Sequence, residues 1–221
     1  TIQAMQRVND AGYPDDAGAV LLIELEGLHD EVDEIGGEVE AALWETGATQ
    51  VRTAEAAKER EQLWVGRKGA LGALGSIAPN YFLVDGVVPR TKLAQVLGQV
   101  AEVSRKFNIP IANVFHAGDG NLHPCLLFDE RQPGSIEKIV EAGTEVLQVC
   151  VDAGGTLTGE HGVGLEKKEQ MPLVFSDDDM AAMLDVRKSF APDNLLNPGK
   201  IFPDGVRYTP SAHQAAPGMT I

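Results

Sequence analysis

The stretch Ile111-Ala-Asn-Val-Phe-His-Ala-Gly-Asp-Gly-Asn-Leu-His-Pro-Cys-Leu-Leu-Phe128 decides the fold. Pro110 opens a β-prone run to His116, and a second run returns from Leu122 to Phe128. Between them, Asp119-Gly120 is a favoured pair for a two-residue hairpin turn, in which both central residues take φ > 0. Counting outward from that turn, Gly118 faces Asn121, Ala117 faces Leu122 and His116 faces His123. Directly opposed residues of an antiparallel pair point to one face with Cβ atoms roughly 5 Å apart, close enough for two imidazoles to share a metal ion. The hairpin is therefore expected to build half of a metal site.

Working outward, the pattern predicts a first helix over Thr1 to Ala11, ended at Tyr13-Pro14, and a buried-type strand from Ala19 to Glu26. Leu28, Val32, Ile35, Val39 and Leu43 recur at helical spacing and predict a helix to about Thr46, across the Gly36-Gly37 pair. A short strand follows at Thr49 to Arg52, and Thr53 is placed to cap a helix running through Trp64 toward Leu71. Tyr81 to Val88 reads as a strand ended by Pro89, and Leu93, Val96, Val100 and Phe107 mark the helix before the hairpin. Ile136, Ile139, Gly143, Val146 and Cys150 mark a long helix after it, closed by Gly154-Gly155. Ser176-Asp-Asp-Asp179 has the form of a capping box and starts a last helix that ends before Pro192. This order predicts an α+β fold: a ferredoxin-like antiparallel or mixed sheet with helices on one face, plus C-terminal helices. Residues 1–204 are expected to form the folded domain and 205–221 a loose tail, where periodicity is lost.

The chain has 221 residues, 43% of them apolar, which suffices for a real core. A net charge of −15 argues against nucleic acid and against a basic membrane-binding face. Cys125 and Cys150 make no CxxC and no disulfide framework, and point to a reducing compartment. No signal peptide or spanning segment is visible, because the longest apolar run, near Ala19 to Leu25, is interrupted by Glu24.

A second cluster, Gly159-Glu160-His161-Gly162, is placed to complete the metal site. Two histidines and a carboxylate form a catalytic zinc-type set that leaves one position open, with Glu160 as the third ligand beside His116 and His123. Consecutive side chains of extended backbone point opposite ways, so Glu160 and His161 are not expected to hold the same ion, which leaves His161 available as a base. Each of these residues also has a plainer reading: the hairpin histidines as turn-stabilising polar groups, Glu160 as a solvated loop acid, and His161 as an ordinary loop histidine.

His116-Ala-Gly-Asp-Gly-Asn-Leu-His123, Gly159-Glu-His-Gly-Val-Gly-Leu165 and Asn197-Pro-Gly-Lys-Ile-Phe202 together resemble the C-terminal half of FAD-linked 2-hydroxy-acid oxidoreductases of the vanillyl-alcohol oxidase class. Leu63-Trp-Val-Gly-Arg-Lys68 and Pro79-Asn-Tyr-Phe-Leu-Val-Asp85 resemble the glycolate oxidase-type flavin subunits of that class, relatives of D-lactate and D-2-hydroxyglutarate dehydrogenases. The resemblance implies a divalent metal, zinc being the expected ion, on His116, His123 and Glu160. It implies His161 as the catalytic base and Arg67 as the grip on the substrate carboxylate. It places Asn121 near flavin and substrate, and Lys200 in a C-terminal segment that returns to the flavin domain. Arg90 is a further candidate for an anionic group, and equally a surface arginine ahead of a helix. The resemblance implies FAD as cofactor, oxidation of glycolate to glyoxylate or D-lactate to pyruvate, and partner oxidase subunits that include an iron–sulfur electron acceptor. It also implies a cytoplasmic setting, at the inner membrane face through those subunits, and it allows an oligomer.

Nothing in residues 1–60 resembles the Gly-rich pyrophosphate loop of an FAD-binding domain. The chain taken alone is therefore expected to be an inactive substrate and metal half. Two other classes fit the same residues. One is a metal-dependent hydrolase using the same His-His-Glu set, and the other is a non-catalytic module held together by a metal.

Overall fold

The computed structural model describes residues 1–8, 12–14 and 16–205. It divides into two compact units, Thr1–Pro79 and Asn80–Ile221. The expected loose tail lies outside the described residues from position 206 on.

The first unit is helical: α1 (Ile2–Val8), α2 (His29–Glu45) and α3 (Ala57–Leu74), with α1 packed on α3. The helix predicted from Leu28 to Thr46 is present and runs through Gly36-Gly37 unbroken. The strands expected at Ala19–Glu26 and Thr49–Arg52 do not form among the described residues. A strand needs a ladder partner for its N–H and C=O groups, and among the described residues no β-ladder forms with either stretch; Val20, Leu21 and Ile23 are exposed. Thr53 is not a cap either, since α3 starts four residues later, at Ala57, with Ala56 in the N-cap position and Glu59 in its first turn to offset the helix dipole.

The second unit carries the sheet. Its strands are β1 (Asn80–Leu83), β2 (Gly86–Val87), β3 (Ile111–His116) and β4 (Asn121–Phe128), and every pairing is antiparallel to β4, which lies between β3 and the β1/β2 line. The single strand expected over Tyr81–Val88 is thus two. Both halves keep one register on β4, Leu83 facing Cys125 and Gly86 facing Leu122, so Val84 and Asp85 stand opposite Pro124 and His123. The ladder breaks there because Pro124 has no N–H to return, although Val84 N–H still donates to Pro124 O at 2.9 Å.

Two amphipathic helices, α4 (Leu93–Phe107) and α5 (Ser135–Asp152), pack on each other and on the sheet, α4 against β3 and α5 against β2 and β4. Val96, Val100 and Val103 of α4 and Ile139, Ala142, Val146 and Cys150 of α5 meet Val84, Leu122 and Leu126 of the sheet in one core. Side chains alternate along a strand, so Asn121, His123 and Cys125 of β4 take the other face from Leu122 and Leu126. The helices therefore lie on one side of the sheet and the polar groups on the other, as the α+β reading predicts.

Both cysteines are free and buried, and burial pushes the Cys125 thiol up to about 11 and the Cys150 thiol up to about 12.

The last helix, α6 (Asp177–Phe190), starts at the predicted capping box. Asp179 N–H donates to Ser176 Oγ at 3.2 Å, and Ser176 N–H donates to Asp179 Oδ2 at 2.9 Å. The Ser176 hydroxyl and then the Ser176 N–H hold the Asp179 carboxyl below its ordinary range. A lowered folded pKa contributes stability that is present above the unfolded value, about 3.9 for Asp, and lost as pH falls through the folded one. Ser176→Ala is therefore expected to lower the melting temperature of the second unit by a few degrees near neutral pH. The gap to the parent should shrink as the pH is taken below that carboxylate range. A gap that is equal at both pH values would contradict the capping account.

Candidate functional site

β3 and β4 are joined differently from the predicted hairpin. The register pairs His116 with Asn121 and Val114 with His123, so the connection is the four residues Ala117 to Gly120 and not a two-residue Asp-Gly turn. Asp119 N–H donates to His116 O at 3.1 Å, and of the two predicted turn residues only Gly120 has positive φ, at 72°. His116 and His123 are consequently diagonal neighbours. The displacement is two residues, the repeat of a strand, so the two side chains keep the same face. Their rings lie edge to face with centroids 5.5 Å apart.

The loop after Leu157 closes over that face. Val87 N–H donates to Thr156 O at 3.1 Å and Thr156 N–H to Val87 O at 2.9 Å, which ties the loop to β2. Gly159 then lies directly on the sheet: a Cβ there would stand 2.6 Å from both Asn121 Oδ1 and Val87 Cγ2, an approach that only glycine permits.

Glu160 Oε1 sits 2.8 Å from His123 Nε2, 3.5 Å from His161 Nε2 and 3.9 Å from His116 Nε2. His116, His123 and Glu160 offer three donor atoms all within 4.8 Å of one another, while His161 groups with His123 and Asp85 instead. The His161 ring stacks on His123, with centroids 5.0 Å apart and planes 3° from parallel. The expectation that Glu160 and His161 point apart is therefore corrected. It assumed extended backbone, whereas three consecutive N–H groups here curl around one carboxylate.

That carboxylate belongs to Asp85, which is 0% exposed. Its Oδ2 accepts from Thr158 Oγ1 at 2.7 Å, Gly159 N at 3.1 Å, His161 N at 3.0 Å and Lys167 Nζ at 3.0 Å, and its Oδ1 accepts from Glu160 N at 3.3 Å. Burial alone would raise its pKa. The Thr158 and Lys167 hydrogen bonds, the His161 N–H and the Lys167 charge outweigh burial and hold the carboxyl well below the usual range. The sequence reading gave no role to Asp85, Thr158 or Lys167. The one available signal was an acid inside the apolar run Tyr81-Phe-Leu-Val-Asp-Gly-Val-Val88.

Burial also lowers the His123 pKa, against the raising pull of Glu160 and Asp85. A lowered pKa favours the neutral imidazole, the form that binds metal. His123 Nδ1 and Asn121 Oδ1 are buried without a hydrogen-bond partner, so the site presents unused polar atoms beside the His-His-Glu trio. Two imidazoles and a carboxylate are a donor set that fits a divalent ion.

Three candidates remain. Arg67 is half-buried on α3, in the first unit. Arg90 is exposed at the start of a short 3₁₀ helix, Arg90–Lys92, and Lys200 is exposed with its ammonium donating to Asn197 Oδ1 at 3.2 Å. Neither Arg90 nor Lys200 is among the residues gathered around Glu160.

Residues 1–201 match the family model described as FAD linked oxidases, C-terminal domain. The chain is 45% identical over 203 residues to the glycolate oxidase subunit GlcD of Escherichia coli K12, covering 92% of this chain and 41% of that protein. It is 35% identical over 207 residues to the Bacillus subtilis subunit of the same name, covering 94% of this chain and 44% of that one. It is 31% identical over 189 residues to the mitochondrial D-lactate dehydrogenase [cytochrome] of Kluyveromyces lactis, covering 83% and 32%. It thus spans less than half the length of these curated relatives. Among solved structures, the 4-ethylphenol oxidase of Gulosibacter chungangensis, determined as an isoeugenol complex, superposes with a TM-score of 0.58 at 15% identity over 82% of this chain and 39% of that one, a likeness of fold. A match over nearly the whole chain, joined to the identity with these relatives, means that the chain belongs to the FAD-linked oxidases, as their C-terminal domain.

Proposed function

We propose that this chain supplies the substrate- and metal-binding part of an FAD-dependent 2-hydroxy-acid oxidoreductase, acting on glycolate first and D-lactate second. The observation that carries the reading is the convergence of His116 Nε2 and His123 Nε2 on one oxygen of Glu160, in a chain of this family. The names of the relatives support the substrate class, since glycolate and D-lactate are both small 2-hydroxy acids. They also favour a flavoenzyme over a hydrolase or a structural metal module.

His116, His123 and Glu160 would hold a divalent ion, with zinc the first to test. When bound, the ion would supply Lewis acidity to the substrate hydroxyl and FAD would supply the electron acceptor. The chain's own residues do the rest. His161, whose side chain is 45% exposed beside Glu160, takes the hydroxyl proton. Asn121, next to Gly159 on the same face as the two histidines, is assigned to the neighbourhood of flavin and substrate on its motif alone. Arg67 is assigned to the substrate carboxylate on its motif alone; Arg90 and Lys200 remain candidates for anionic groups of substrate or cofactor. Among the described residues no helix is long and apolar enough to cross a membrane. The bacterial relatives are subunits by name, and we extend that to this chain: it works in the cytoplasm with further subunits, one of them an electron acceptor.

The test is flavin reduction by glycolate and D-lactate in the full-length protein, before and after chelation. Reduction that disappears on chelation and returns with a divalent ion is the expected result. A metal-free protein with undiminished turnover would defeat the metal assignment, and an unreduced flavin with every 2-hydroxy acid would defeat the substrate class. Arg67→Lys should raise KM and lower turnover, because lysine cannot reproduce a bidentate grip on carboxylate; unchanged kinetics would remove Arg67 from the assignment.

A further inference from the structure

We propose that Asp85 is the positioning residue of this site: its buried carboxylate, anchored by Lys167, bends the Thr158–His161 backbone so that Glu160 and His161 both face His116 and His123. The proposal rests on reading His116, His123 and Glu160 as metal ligands, and it accounts for a geometry that extended backbone forbids. In a strand, residues 160 and 161 would project to opposite faces. Here Glu160 Oε1 is 2.8 Å from His123 Nε2, and His161 stacks on that same ring.

The cause is visible in the hydrogen bonds. The N–H groups of Gly159, Glu160 and His161 and the hydroxyl of Thr158 all donate to Asp85. Successive N–H groups turned toward one anion form a concave nest, and a backbone bent in that way loses the strict alternation that a strand imposes on its side chains. The anion cannot wander. Asp85 stands in register opposite His123, and Lys167, with its side chain 5% exposed, donates both to the Asp85 carboxylate and to its backbone carbonyl, the latter at 3.3 Å. The same carboxylate lies 3.9 Å from His123 Nδ1, beyond a hydrogen bond but on the side of the ring away from Glu160. One buried acid thus faces three of the four groups of the site. All of its hydrogen bonds run to the protein, so it acts through those groups and does not touch substrate.

Asp85→Asn keeps the side-chain shape and removes the charge and half of the acceptor capacity. In the full chain, amide exchange at Gly159, Glu160 and His161 should quicken at least about tenfold, and zinc affinity should fall by about 10–100-fold, as for other groups that orient metal ligands. His116→Ala should weaken zinc binding without quickening those amides. A folded Asp85→Asn protein with parental exchange at the three amides and parental zinc affinity overturns the proposal. If Asp85→Asn does not fold, Thr158→Val, which deletes one donor only, should move exchange and affinity in the same direction by less, and no change in either overturns it. If the parent protein binds no zinc, the ligand reading fails separately, and exchange alone decides whether Asp85 shapes the loop.

Discussion

Replacing His161 by alanine in the full-length enzyme should lower turnover with a 2-hydroxy acid by about 10²–10⁴-fold, the usual worth of a general base, while leaving the metal in place. His123→Ala should lose metal and turnover together. The difference follows from where the donor atoms lie. His123 is buried, and its Nε2 meets Glu160 at 2.8 Å within a trio that includes His116. His161 stands outside that trio, against the face of the His123 ring, with its own ring open to a substrate. Metal analysis alongside steady-state kinetics separates the two roles. If His161→Ala empties the site as fully as His123→Ala does, the division between ligand and base is wrong.

Lys167→Met should cost about 3–5 kcal/mol of stability, as removal of one partner from a buried ion pair does elsewhere. The Asp85 carboxylate would stay buried with its N–H donors but without its cation. Urea unfolding followed by far-UV circular dichroism is the suitable measurement. Tryptophan fluorescence is not, because Trp44 and Trp64 both sit on helices of the first unit. The double variant with Asp85→Asn should recover part of the loss, since neither charge is then left alone. A single-variant cost under about 1 kcal/mol would place the pair in the range of solvent-exposed bridges and contradict its description as buried.

Much of this site was legible in the sequence because its signal is local. The spacing from His116 to His123 puts both rings on one face although the connection is two residues longer than Asp-Gly alone predicts, since a shift of two residues preserves strand parity. The turn itself depends on the segment that follows β2: Val88 N–H donates to Gly120 O at 3.0 Å, and a Cβ on Gly120 would stand 2.1 Å from Val88 O. Gly120 is thus needed for close approach as well as for its positive φ, and no local turn preference reports that. α4, α5 and α6 were readable because apolar periodicity and a capping box lie within single segments. The role of Asp85 was not, because its partners Thr158 and Lys167 are 73 and 82 residues away. The direction of Glu160 and His161 was misread for the same reason, because the loop takes its shape from a distant carboxylate and not from its own residues. The Ala19–Glu26 run looked like a strand because apolar composition is visible in sequence and a missing ladder partner is not.

The most direct test of the central assignment is anomalous diffraction from zinc-loaded crystals of the full-length protein. One strong peak is expected, enclosed by His116 Nε2, His123 Nε2 and the Glu160 carboxylate, with the His161 ring beside it and not bound to it. Zinc found only elsewhere, with those three side chains uncoordinated, would contradict it.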